Sequence, residues 1–217
     1  MSSFAAQRLN MVESQVRPND VADPRICTAM AEIPRERFVP SSKSALAYAD
    51  QAVEVSPGRY LLDPRTFSKL AALAQIEPED SVLDVGPATG YSSVVLARLA
   101  HNVIALEQDA ELVRLAYSLC PAVGAANVIV TQGPLNQGIR AKAPYNVIFV
   151  NGAIEERPDT LLSQLTEGGR LVAVVCEGPV GKARLFLKEH GGISVREAFD
   201  ASVPALVGFS KSVGFVF

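Results

Sequence analysis

The chain has 217 residues, a length that suits one α/β domain, and 48% of them are apolar, enough to fill a core. Lys and Arg number 20 against 23 Asp and Glu, a net charge of −3, which argues against the basic stripe of a nucleic-acid binder. No apolar run reaches membrane-spanning length, and the opening MSSFAAQRLNMVESQ lacks a signal-peptide pattern, so a cytoplasmic protein away from membranes is expected. Cys27, Cys120 and Cys176 stand alone, with neither a CxxC pair nor His101 or His190 nearby in sequence. They are expected to be small core residues, and no metal site is expected.

In chain order, residues 4–16 place Phe4, Ala5, Leu9, Val12 and Val16 near helical spacing. Asp23-Pro24 starts a second helix through Ile33, because Asp accepts from free amides and Pro suits the first helical position. An extended run over 52–56 follows. Asp63-Pro64 repeats the start signal for a helix with an apolar face of Phe67, Leu70, Ala71, Leu73, Ala74 and Ile76.

From Ser81 the texture changes. SVLDVG (81–86), NVIALE (102–107), NVIVTQ (127–132), YNVIFVN (145–151) and RLVAVV (170–175) read as buried strands. Helices are expected over 91–100, 109–119 and 158–165, with Gly168-Gly169 turning into the fifth strand. Apolar strands alternating with helices indicate a parallel sheet covered on both faces. Residues 183–191 and 193–200, joined at Gly191-Gly192, suggest a hairpin that gives the sheet an antiparallel edge. A last strand is expected over 212–217. Segment 200–217, with Pro204, Leu206 and Phe209, is expected to pack on the core. The whole is expected to be one unit, with residues 1–78 a helical, substrate-side extension and 79–217 the α/β core.

Ligands of open α/β sheets lie beyond the carboxyl ends of the strands, where strand order reverses. The loop after the first core strand runs Asp84-Val85-Gly86-Pro87-Ala88-Thr89-Gly90, and its glycines allow close backbone approach. Glu107, followed by Gln108, ends the second strand, where an acid can accept both ribose hydroxyls. Gln132 and Gly133 end the third. The loop lacks the G-x-G-x-x-G of nicotinamide enzymes, so S-adenosylmethionine is the better candidate.

The motifs resemble one family over nearly the whole chain. Residues 33–40 (IPRERFVP) are similar to the V-P-R-E-x-F-V motif of protein-L-isoaspartate O-methyltransferases, and Tyr48-Ala49-Asp50 to their Y-x-D. Residues 83–86 with Thr89-Gly90-Tyr91 resemble the L-[ED]-[IV]-G-x-G-[ST]-G-Y loop. Thr131-Gln132-Gly133, Ala143-Pro144-Tyr145 and residues 165–171 follow in the family's order.

The resemblance implies a class I methyltransferase (Rossmann-like) fold with a mostly parallel seven-stranded sheet, an antiparallel C-terminal edge and an N-terminal helical extension. It implies S-adenosylmethionine as methyl donor, and isoaspartyl carboxylates of damaged proteins as acceptors. That reaction needs no strong base or protein nucleophile, so the protein's tasks are orientation and exclusion of water.

The chain departs from the family at several places. Tyr60 and Leu62 replace the Thr and Ser of G-[QA]-T-I-S-x-P, so no catalytic residue carries over at Leu62, which has neither donor nor acceptor. Asp50, Tyr60 and Asp63 remain as substrate-side candidates, with helix capping the plainer role for Asp63. Ala88 stands at the middle glycine, and Pro134 at the Asp that faces adenine, which sets both against S-adenosylmethionine binding. Asn146 replaces the Asp opening the fourth strand. These changes leave two further expectations: a binding or regulatory protein that kept the fold without catalysis, and a methyltransferase for another small molecule.

Overall fold

A computed structural model describes residues 3–178 and 180–210. The N-terminal part comprises α1 (Phe4–Met11), α2 (Pro24–Glu32), a hairpin of β1 (Val53–Ser56) and β2 (Arg59–Leu61), and α3 (Pro64–Ala74). The α/β part follows as β3 (Ser81–Val85), α4 (Tyr91–Ala97), β4 (Asn102–Glu107), α5 (Ala110–Ala122) and β5 (Val128–Gln132). It continues with β6 (Tyr145–Ile154), a single helical turn α6 (Asp159–Leu162), β7 (Leu165–Val175), β8 (Gly181–Glu189) and β9 (Gly192–Ala201).

The seven-stranded sheet has the order β5-β4-β3-β6-β7-β8-β9. The first five pair in parallel and the β7-β8 and β8-β9 pairs are antiparallel, as the sequence implies. The chain builds outward from β3 to β5, then returns to the other side of β3 with β6. That reversal opens a crevice beyond the carboxyl ends of β3, β4 and β6.

Both faces of the sheet are buried, which explains the continuous apolar strands. Val82, Val103, Val147 and Phe149 point into one core, shared with Met11, Val16, Ile26 and Phe67 of the N-terminal part. Leu83, Val85, Ile104, Leu106 and Val150 point into a second, closed by Leu161, Leu162, Leu206 and Phe209.

Asp23 and Asp63 cap α2 and α3, accepting from the amides of Arg25 at 2.8 Å and Thr66 at 2.7 Å.

The structure differs from expectation at several elements. The first helix widens into a π-helical turn over Val12–Val16, so its buried face is Met11, Val12 and Val16. Phe4, Ala5 and Leu9 are exposed, Leu9 at 55%. The shift to i→i+5 bonding rotates the second half of the segment by part of a turn, which regular 3.6-residue periodicity cannot register. The helix expected over 158–165 shrinks to α6, because Leu165 already pairs with Tyr145. Gly168-Gly169 therefore lies in a register shift within β7, not ahead of it. The strand expected over 212–217 lies outside the described residues. No helix of the described residues is long and apolar enough to cross a membrane. Among those residues, no group of three or more His, Cys, Asp or Glu is placed to hold a metal.

Candidate active site

The glycine turn sits at the topological switch. Gly86 leaves β3 with φ 73°, and its amide donates to the Leu106 carbonyl at 2.9 Å. Gly90 opens α4 with φ 97°. Between them Ala88 holds φ 54°, a left-handed conformation that costs an L-residue about 1–2 kcal/mol. The Thr89 hydroxyl donates to the Phe38 carbonyl at 2.6 Å, tying this loop to the N-terminal motif.

Asp84 lies wholly buried beneath the turn. It accepts from the hydroxyls of Ser92 at 2.7 Å and Ser93 at 2.6 Å, and from the Asn151 amide. Burial pushes its carboxyl up to about 6, against the pull of those three donors. Asp84 therefore fixes the start of α4 and the end of β6 to β3 from inside the core.

Glu107 ends β4 and is fully buried. Its carboxylate accepts the amides of Ala88 at 3.0 Å, Gln108 at 2.7 Å and Asp109 at 3.1 Å. It also meets Arg59 in a two-pronged pair, Nη1 to Oε1 at 2.8 Å and Nη2 to Oε2 at 2.6 Å. Sequence reasoning missed this pair. Arg59 was visible only as a member of the substituted segment, 48 residues away. Strand alternation explains its aim: Arg59 and Leu61 point inward from β2, while Tyr60 faces Glu54 across the hairpin.

The other candidates scatter around this centre. Gln108 and Gln132 are exposed, joined by a 3.4 Å bond from the Gln132 amide nitrogen to the Gln108 carbonyl. The Gly133 amide is used by the Glu107 carbonyl at 3.0 Å. Tyr60 is half-buried, its hydroxyl 3.4 Å from Glu54 Oε1, and Asp50 is exposed. Leu62 is buried, and its carbonyl accepts from Arg35 Nη2 at 2.7 Å. Arg35 itself is buried, with Nε on the Ala47 carbonyl and its guanidinium 4.7 Å above the Tyr91 ring. Burial lowers its pKa from the ordinary arginine value.

Arg35, Tyr60, Leu62, Pro87 and Asn151 bound a cavity of about 10 Å³, room for about one water. Beside it, the acid and the first glycine of the crevice are both occupied by the chain's own groups. Glu107 is saturated with donors, and the face of Gly86 is covered by Leu206. A Cβ at position 86 would lie 2.8 Å from Leu206 Cδ1 and 3.2 Å from Arg59 Nη2.

Residues 6–203 match the family model of protein-L-isoaspartate(D-aspartate) O-methyltransferase. The chain belongs to that family. A Koribacter versatilis protein-L-isoaspartate O-methyltransferase is 34% identical over 208 residues, 96% of this chain and 94% of its own. A solved protein-L-isoaspartate O-methyltransferase superposes with a TM-score of 0.79 at 25% identity, covering 93% of this chain and 66% of that one. A Plasmodium falciparum protein assigned to the same enzyme class, solved with S-adenosyl-L-homocysteine, gives 0.79 at 21%, covering 92% and 97%. The enzyme class of the family is thus an S-adenosylmethionine-dependent O-methyltransferase. Membership weighs for that cofactor and against the doubt raised by Ala88 and Pro134.

Proposed function

We propose that this chain methylates isoaspartyl carboxylates in proteins, with S-adenosylmethionine as donor bound beyond β3 and β4. The observation that carries the reading is Glu107. It is a buried carboxyl group bonded by three backbone amides at the end of β4, beside a glycine turn at the strand-order reversal. An acid at that spot suits the two hydroxyls of a ribose. Family membership over 6–203 supplies the reaction class.

In this reading Gly86, Ala88, Thr89, Gly90 and Glu107 form the cofactor side, with Gln108, Gln132 and Gly133 at its rim and Asp84 fixing the turn from below. Tyr60 offers the substrate side a hydroxyl, Asp63 holds α3 in place, and the exposed Asp50 is free to meet a substrate from solvent. Leu62 contributes shape and water exclusion only. A reducing compartment such as the cytoplasm suits three free cysteines.

The test is transfer of labelled methyl from S-adenosylmethionine to an isoaspartyl peptide, with the aspartyl isomer as control. Transfer to the isoaspartyl peptide alone is expected. Absence of transfer with S-adenosylhomocysteine bound would reject the substrate, and absence of binding would reject the cofactor.

A further inference from the structure

Segment 204–209 runs across the carboxyl ends of the strands as a narrow strap. It is attached by three backbone hydrogen bonds: Ala153 N–H to Pro204 O at 2.9 Å, Leu206 N–H to Ala153 O at 2.8 Å, and Glu155 N–H to Phe209 O at 3.1 Å. Only Leu206 and Phe209 of the strap are buried, while Ala205, Val207 and Gly208 are exposed. Leu206 packs on the glycines at both sides of the crevice. Its side chain lies over Gly86, and its Cβ would be 2.9 Å from a Cβ built at Gly152. Arg59 closes the remaining side by taking the acid.

We propose that Leu206 and Arg59 form an intramolecular latch on the cofactor groove. S-adenosylmethionine enters only when Leu206 leaves Gly86 and Arg59 leaves Glu107. The inference rests on the proposal that this groove takes that cofactor. Both parts suit release. A strap held by three backbone bonds and two apolar anchors belongs to the segments that open locally at low free energy. Arg59 sits on a two-stranded hairpin, and its long side chain can withdraw without moving β4. Glu107 stays organised after that withdrawal, because the amides of Ala88, Gln108 and Asp109 still hold it. With Leu206 against Gly86 and Gly152 and Arg59 on Glu107, the spot beside the acid is filled by the chain's own side chains, so binding there and opening are one event. A latch of this kind divides the intrinsic affinity by the fraction of open molecules.

The experiment is calorimetric titration of the full chain with S-adenosylhomocysteine, comparing wild type, Leu206→Ala, Leu206→Met and Arg59→Gln. A thermal melt of each verifies the fold. Leu206→Ala and Arg59→Gln are expected to bind about tenfold more tightly than wild type, with Leu206→Met, which refills the contact, near the wild-type value. If Arg59→Gln does not fold, the two Leu206 variants decide the matter alone. Folded variants that bind no more tightly than a binding wild type overturn the latch and leave the cofactor assignment standing. No binding by wild type or any folded variant overturns both.

Discussion

The two ends of the central sheet each carry an arginine–carboxylate pair, and they do different things. At the amino ends, Arg170 of β7 donates from Nε to the Ala74 carbonyl and from Nη2 to the Gln75 carbonyl and to Asp80, the last at 2.6 Å. Those carbonyls are the open acceptors at the end of α3, so Arg170 supplies what the helix terminus needs. At the carboxyl ends, Arg59 meets a carboxylate that already has three amide donors. The side chains of Arg170 and Asp80 are 15% and 9% exposed, those of Arg59 and Glu107 only 7% and 0%. One pair completes a secondary structure. The other occupies the spot that the proposed function gives to the cofactor's ribose, and the contrast teaches that charge satisfaction alone does not distinguish scaffold from site.

Substitutions can break or sharpen this contrast. Arg59→Ala leaves the buried Glu107 without its counter-charge and should cost about 3–5 kcal/mol in denaturant unfolding, with much of the loss absent when Glu107→Gln is added. Leu206→Ala opens the second core at its rim and should cost about 2–3 kcal/mol by the same measurement, less where the strap relaxes inward. Arg170→Ala removes bonds at a part-exposed helix end and should cost about 1–2 kcal/mol, with no effect on S-adenosylhomocysteine affinity. Ala88→Gly relieves the left-handed conformation at φ 54° and should stabilise by up to about 1 kcal/mol, read as a rise in melting temperature.

The parallel sheet was legible because its strands are buried on both faces and need no alternation, so each reads as an apolar run between helix starts. Asp23-Pro24 and Asp63-Pro64 were legible for a local reason, a cap and a fixed φ in adjacent residues. The strap's burial was also anticipated for Leu206 and Phe209. Its position over Gly86 was not, since nothing local tells which end of a sheet a terminal segment crosses. Arg59 was hidden for the same reason, because its partner lies on another element with no periodic relation to it. The turn Val12–Val16 escaped because a π-helical step changes the repeat itself.

Amide hydrogen exchange at Leu206, with and without saturating S-adenosylhomocysteine, tests the account most directly. Its amide is held by the Ala153 carbonyl only while the strap is closed. The account predicts saturable binding that accelerates exchange at Leu206 while the strand amides of β3 and β4 stay protected. Binding that leaves Leu206 as protected as before, or slows its exchange, would contradict it.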